Sequence, residues 1–348
     1  MNIKIIALTA LLFFAAFAKA QKCKKNLLIS FYNVENLFDT IHNPHKLDVE
    51  FTPQGRKHWT SKRYNDKIEK VSRVIASYDP HKLPDITGLC EIENRSVVED
   101  LIKTKKLKKG KYRIVHYESP DIRGIDNALI YRKKKMKLIF SHAYHVRMKD
   151  NKRFKTRDII YAKFYVKKAK DTLHVLVNHW PSRRGGELKS RPKRAAAARV
   201  ARHIVDSLLN TGTNPKIFLM GDLNDEPVNY AVEKVLRAYN PDTVFGDTSL
   251  LNLCYRTKLK HSGSYYYWRT QEWDMIDNMI VTGNFFTAQK GLILKDKDVK
   301  LFKPDWLLYT NKKGVKSPAR TYGRYYYGGY SDHLSIYTRI YFKCKKKK

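Results

Sequence analysis

Leu219-Met220-Gly221-Asp222-Leu223-Asn224-Asp225 is an apolar run that ends in a polar turn. Farther downstream, Gly329-Tyr330-Ser331-Asp332-His333-Leu334 sets an acid beside an imidazole. Strand ends of this kind gather carboxylates, an amide and an imidazole at one sheet edge. Such a group of side chains holds a divalent metal and positions a water for attack on phosphorus. Asp222 and Asn224 are two apart, so in extended backbone both point to one face. Asp225 reads as a cap for a following helix and stays outside the chemistry.

Outward from this pair, short β-like runs punctuate the chain: Leu27 to Phe31, Ile86 to Leu89, Ala128 to Tyr131, Leu173 to Val177, Ile217 to Met220, Met275 to Val281, and Leu334 to Tyr341. Most are near-continuous apolar runs, which marks strands buried on their inner faces. Tyr64, Ile68, Val71 and Ile75 fall at helical spacing after Ser61, an expected N-cap. Pro192 fits the first turn of a second helix, in which Ala196, Val200, Ile204 and Leu208 recur every four residues. A third helix is expected from Pro227 through Val232, Val235 and Leu236. Strands separated by helices in this order predict a sheet-based α/β or α+β fold.

Four further motifs carry polar residues at the ends of such runs. Phe31-Tyr32-Asn33-Val34-Glu35-Asn36 offers Asn33, a neutral oxygen for a metal or an N–H for a phosphate. In Thr87-Gly88-Leu89-Cys90-Glu91, Glu91 leaves an apolar run, where a hard cation such as Mg2+ would justify it; a strand-end salt bridge is the bland alternative. His179 ends Val177-Asn178-His179, and the loop after it, Trp180-Pro181-Ser182-Arg183-Arg184-Gly185-Gly186, suits close contact with phosphate. Asp277, inside Met275-Ile276-Asp277-Asn278-Met279-Ile280, needs a partner because a buried acid is costly alone; His333 is the expected one.

In this order, the six motifs resemble the endonuclease/exonuclease/phosphatase superfamily across Asn26 to roughly Phe342. The resemblance implies a four-layer sandwich of two packed mixed β-sheets flanked by helices. It implies that Asn33, Glu91 and Asp332 lie on the metal side, Asp222 orients the attacking water, and Asn224 binds the phosphate. His333, held by Asp277, contacts the scissile phosphate. His179 matches the second catalytic histidine of deoxyribonuclease-like and sphingomyelinase-like members and argues against the abasic-site branch. Asp126 is assigned as the partner of His179, and Arg183 and Arg184 as substrate-binding. The implied reaction is in-line attack of water on a phosphodiester with Mg2+, or Mn2+ or Ca2+, as cofactor. His179 or a metal-bound water protonates the leaving oxygen.

The start of the chain has the layout of a secretory signal: Lys4, an apolar Ile5 to Phe17 broken by Thr9, and an Ala18-Lys19-Ala20 cleavage site that leaves Gln21 first. This run is short for a membrane span, and Ala20-Gln21-Lys22 before Cys23 is a poor lipobox. The reading is therefore a signal peptide over 1–20 and a single domain over 21–348 with a Lys-rich tail, exported to the periplasm or medium. No Pro/Gly/Ser linker or internal repeat divides it.

The chain has 69 basic and 33 acidic residues and a formal net charge of +36. Removing the segment that holds Lys4 and Lys19 leaves 67 against 33, or +34. Such a surplus favours a polyanionic partner, and its spread along the chain favours affinity without sequence specificity. The expectation is a nuclease of DNA or RNA, monomeric and without stable membrane insertion. A phosphodiesterase of lipid headgroups or small phosphoesters is the alternative. The lipid reading would want an exposed apolar loop or amphipathic helix, and none is evident. The aromatic groups Tyr265-Tyr266-Tyr267-Trp268 and Tyr325-Tyr326-Tyr327 either stack on bases or serve packing. Cys23 and Cys344 flank the first and last strands; in the resembled family these strands are neighbours, which implies a disulfide between them in an oxidising compartment. Cys90 reads as a buried thiol, and Cys254 as either state.

Overall fold

The computed structural model describes residues 25–243 and 246–342. The expected signal segment, both terminal cysteines and the lysine tail lie outside these residues. In chain order the strands are β1 (Lys25–Leu37), β2 (Ile86–Ile92), β3 (Tyr112–His116), β4 (Asp126–Arg132), β5 (Met136–Tyr144), β6 (Ile159–Val166), β7 (Asp171–His179), β8 (Lys216–Asp222) and β9 (Ala238–Tyr239). They continue with β10 (Leu250–Asn252), β11 (Tyr265–Tyr267), β12 (Glu272–Asp274), β13 (Asp277–Thr282), β14 (Leu292–Ile293), β15 (Lys300–Leu301), β16 (Leu308–Thr310), β17 (Lys316–Pro318) and β18 (Ile336–Phe342). The long helices are α1 (Ser61–Ala76), α2 (Arg95–Lys103) and α3 (Glu187–Leu209).

Two seven-stranded mixed sheets result. One runs β14-β18-β1-β2-β4-β3, with β15 also on β18; the other runs β5-β6-β7-β8-β13-β10-β9. Alternation along β1 shows how they pack. Leu27, Ile29 and Phe31 face Val175, Val177, Phe218 and Met220 of the other sheet. Leu28, Tyr32 and Val34 face outward onto Val71 and Ile75 of α1 and Val98 of α2. On the far side, Ile217 and Leu219 of β8 pack on Ala197, Ala201 and Ile204 of α3. Strands buried on both faces explain the continuous apolar runs. The order is helix, sheet, sheet, helix, as the motifs imply.

Each sheet contains one central parallel pair that decides where the site forms: β1 with β2, and β7 with β8. Crossover through a helix makes such pairs possible, and ligands bind beyond the carboxyl ends of parallel strands. Both pairs end at the same edge of the sandwich, since Asn33 of β1 touches Asp222 of β8.

Three helix expectations need correction. Thr60, not Ser61, is the N-cap of α1, its side chain accepting from the Arg63 amide. Pro192 lies inside α3 rather than in its first turn. The extra turn before it is held by side chains: Ser190 Oγ donates to the Gly186 carbonyl at 2.6 Å and Arg194 Nη2 to the Glu187 carbonyl at 2.9 Å. The segment after Pro227 is no α-helix but one wide π-type turn over Ala231–Leu236. Asn229 Oδ1 takes the Glu226 amide, and the chain must re-enter the sheet at β9.

Candidate active site

The first half of the site is built on a bulge. Asn33 pairs with Cys90, then the β1–β2 register slips until Leu37 meets Ile92. Within the slip, Glu35, Asn36 and Glu91 all adopt left-handed backbone, with φ of 51°, 53° and 61°. Such conformations cost a non-glycine residue roughly 1–3 kcal/mol each and persist only when neighbours over-determine them. Two side chains do so here. Asn33 Oδ1 accepts from the Glu35 amide at 3.0 Å, and Glu91 Oε2 accepts from the Asn36 amide at 2.8 Å. The bulge turns Glu91 out of the strand and leaves its Oε1 facing the cleft, 3.5 Å from Asn33 Nδ2.

The second half comes from the other sheet. His179 and Asp222 are register partners at the ends of β7 and β8, and Asp277 is the partner of Asp222 at the start of β13. Gly221 permits this spacing: a Cβ there would lie 2.3 Å from the Asn178 carbonyl oxygen. Asp222 Oδ1 accepts from the Asn224 amide at 2.9 Å, which fixes the turn with Asn224 at φ 49°. Its Oδ2 accepts from Asn33 Nδ2 at 3.0 Å, bridging the two sheets. Burial pushes the Asp222 carboxyl up to about 7; His333 opposes the shift and Asp277 adds to it.

His333 stands just before β18. Its Nδ1 lies 2.7 Å from Asp277 Oδ2, and its Nε2 lies 3.4 Å from Asn33 Nδ2, 3.8 Å from Asp222 and 3.9 Å from Asp332. Burial disfavours its charge, but Asp277, Asp222 and Asp332 outweigh burial and hold the imidazole well above its usual range. His179 behaves in the opposite way. Burial, with Arg157, Arg123 and His333 nearby, pushes it well below the usual value. Its Nε2 lies 3.6 Å from Asp222 and 4.0 Å from Glu91, while its buried Nδ1 has no partner. One imidazole is thus kept charged and the other neutral.

The fold therefore gathers Asn33, Glu91, His179, Asp222, Asn224, Asp277, Asp332 and His333. It does not place Asp126 on His179. Asp126 accepts from the Ser119 amide at 2.9 Å and lies 3.2 Å from His116 Nε2. Arg183 is committed to structure: it donates to the Asn224 carbonyl at 2.8 Å, to Asn229 at 2.9 Å and to Asp274 at 3.2 Å. Arg184 is exposed in the same loop. Asp225 caps no helix but pairs with buried Arg194 at 2.6 Å. Cys90 and Cys254 are free buried thiols.

Three charged residues escaped the sequence reading. Glu35, buried, accepts from the Thr321 amide at 2.5 Å and from Arg320 Nε at 3.4 Å. Arg320 Nη2 also donates to Asp332 at 3.1 Å. Lys67 is buried behind them and donates to the Tyr330 carbonyl at 2.6 Å. Glu35 shares the strand face of Asn33 by its two-residue spacing, which was a usable signal. Nothing local marks Arg320 or Lys67.

A hard cation would be held by Glu91 Oε1, which has only long contacts, to Asn33 at 3.5 Å and His179 at 4.0 Å, together with Asp332, 3.9 Å from His333 Nε2. These are anionic oxygen donors, as Mg2+ requires. Asn33 turns its Nδ2 toward Glu91 and Asp222, while its Oδ1 accepts from the Glu35 amide. One donor atom each of Asp222, Asp277 and His333 also lies within 4.8 Å of the others. The charged imidazole between two acids accounts for that triangle without an ion.

Among curated proteins none matches this sequence. Solved structures do match in fold. An endonuclease/exonuclease/phosphatase family protein from Bacteroides thetaiotaomicron superposes with TM-score 0.55 at 13% identity, covering 92% of this chain and 100% of that one. A humanized zebrafish (D. rerio) TDP2 gives 0.54 at 15%, covering 90% and 98%. The human nocturnin catalytic domain gives 0.52 at 14%, covering 92% and 96%. The family model described as endonuclease/exonuclease/phosphatase family matches residues 28–342. The chain therefore belongs to that divalent-metal-dependent family and is a hydrolase of phosphoester bonds.

Proposed function

We propose that this chain is an exported, metal-dependent nuclease of low sequence specificity, acting as an endonuclease on DNA or RNA. The observation that carries the reading is the meeting of Asp222, Asn224, His179 and the Asp277–His333 pair opposite Glu91, in a protein of net charge +36. Zebrafish TDP2 has been crystallised with a single-strand DNA product, which supports a nucleic-acid substrate here. Export rests on the N-terminal segment alone. No helix of the described residues is long and apolar enough to cross a membrane.

The division of labour follows from the geometry. Glu91 and Asp332 would hold a divalent ion, Mg2+ for preference, which would offset the charge that grows on the phosphate oxygens. Asp222, poised near neutral pH and tied by Asn33, accepts the proton of the attacking water and aims it. Charged His333, oriented by Asp277, donates to a non-bridging phosphate oxygen where charge grows. Asn224 Nδ2 donates to the Trp180 carbonyl at 2.9 Å beside this group. His179 is neutral, so it serves as a hydrogen-bonding group toward phosphate rather than a ready acid. Of the two donors expected for the leaving oxygen, His179 or a metal-bound water, this favours the water.

Incubation of the purified protein with plasmid DNA, RNA, sphingomyelin and bis(p-nitrophenyl) phosphate, with Mg2+ or with EDTA, tests the reading. Nicking or degradation of polymer with Mg2+ and none with EDTA is expected. Turnover of sphingomyelin or the small diester without polymer cleavage would move the protein to the lipid or small-phosphoester class.

A further inference from the structure

The segment from β17 to the residue before Ser331 forms a strap beside the active centre and carries the exposed rings of Tyr325 and Tyr327. Its backbone closes on itself: the Tyr327 amide donates to the Thr321 carbonyl at 2.9 Å and the Gly323 amide to the Tyr325 carbonyl at 3.0 Å. Glu35 holds it from below through the Thr321 and Tyr322 amides.

Two open cavities flank the strap and share Gly323 and Arg324. The first, of ≈ 520 Å³, is lined by Arg56, Lys57 and Arg63 together with Tyr322 and Tyr325. The second, of ≈ 540 Å³, is lined by Trp268, Tyr309 and Tyr327 and ends at Arg320, the residue that donates to Asp332. No carboxylate lines either one. Arg324 has no acidic partner among the described residues and lies over the Tyr325 ring at 5.4 Å.

The tyrosines divide into two sets. Tyr322 and Tyr326 pack on Trp59 at 5.8 and 6.4 Å between ring centres. Tyr325, Tyr327 and Tyr309 are 63%, 58% and 55% exposed. Rings left in water beside an arginine without an acidic partner are poor packing and good stacking surfaces.

We propose that these two cavities form one trough for a single-stranded nucleic acid, which feeds the strand past Arg320 to the phosphate site. The inference rests on the nuclease reading and adds the strandedness of the substrate. Bases stack on Tyr325, Tyr327 and Trp268, while phosphates lie against Arg324 and Arg63; Arg56 is already paired with Glu50 at 2.5 Å. A duplex has no free base faces to offer these rings. The rigid strap lowers the ordering cost of binding.

The test uses full-length protein silenced by Asp222→Asn and a fluorescein-labelled oligonucleotide, single-stranded or in a hairpin duplex, followed by anisotropy at two salt concentrations. The single strand should bind about tenfold more tightly than the duplex. Tyr325→Ala with Tyr327→Ala should remove about a tenfold share of single-strand affinity and leave the duplex unchanged. Arg324→Ala should flatten the salt dependence. In otherwise wild-type enzyme these variants should hydrolyse bis(p-nitrophenyl) phosphate normally, which shows that they fold. Equal affinity for both forms, or variants indistinguishable from the parent, would overturn the trough. So would loss of binding to phosphatidylglycerol vesicles, but not to oligonucleotide, in the same variants. If wild-type enzyme cuts neither polymer while hydrolysing the small diester, the nuclease reading fails instead.

Discussion

His333 Nδ1 and Asp277 Oδ2 are 2.7 Å apart in space and 56 residues apart in sequence, and both are buried. The acid orients the ring and keeps it charged. Replacing Asp277 with Asn keeps the shape but removes the charge. Turnover should then fall by about 10²- to 10⁴-fold with little change in KM, because the loss is felt where charge develops. Steady-state kinetics of Asp277→Asn on a nucleic-acid substrate check this. An unchanged kcat would remove the pair from the mechanism.

Arg183 and Arg184 should separate cleanly. Arg183→Ala loses bonds to the Asn224 carbonyl, Asn229 and Asp274. It should lower kcat and thermal stability together by loosening the turn that carries Asn224. Arg184→Ala, on an exposed residue, should leave kcat and stability alone and reduce only the salt dependence of binding. Melting curves and salt titrations of both variants decide the matter.

Glu35 is the counter-charge for two cations, Lys67 and Arg320. Glu35→Ala strands a buried lysine, already pushed down to about 8 by burial. A loss of about 3 kcal/mol in urea unfolding is expected, as for other broken buried pairs. Lys67→Met combined with Glu35→Leu should recover much of it.

His174 provides a pH readout far from the chemistry. It is buried, with Nδ1 2.8 Å from the Tyr161 hydroxyl. Burial, aided by Lys163, pushes it down to about 4. The unfolded chain, titrating near 6.5, binds its proton first as pH falls. Stability from this residue is therefore complete above about 6.5 and is lost progressively toward 4, about 3 kcal/mol in full. Urea midpoints of wild type and His174→Phe across this window should diverge as pH rises, with the variant lacking the slope.

Cys23 and Cys344 are predicted to be joined in exported protein. The β1–β18 ladder pairs Lys25 with Phe342 and Asn26 with Tyr341 in antiparallel register. Cys23 and Cys344 each lie two residues beyond the last of these pairs in sequence, outside the described residues. Non-reducing peptide mapping should find the linked peptide; two free thiols would refute it.

The strands were legible because a strand buried on both faces must be apolar throughout, as β1, β2, β7 and β8 are. The acids and histidines at their ends stood out against that background, and the resemblance of the six motifs supplied their roles. Residues that work through tertiary contact were not legible. Arg320 gains its meaning only when the chain brings it to Asp332 and Glu35. Asp126 sits at the right strand end but finds His116 rather than His179. Arg183, in a glycine-bearing loop, looks like a phosphate ligand until Asn224 and Asp274 claim it. Pro192 misled because side-chain hydrogen bonds from Ser190 and Arg194 compensate the turn before it.

Asn33 meets His333 across 300 residues of chain. Asn33 belongs to the first strand, and the last strand begins just after His333. A ribosome must therefore finish nearly the whole polypeptide before the catalytic group can exist, and a nascent or truncated chain lacks it. Long-range closure of this kind is also slow. If the proposed export and nuclease readings hold, the hydrolase would be switched on only by the completion of folding, outside the cell and away from its own nucleic acid.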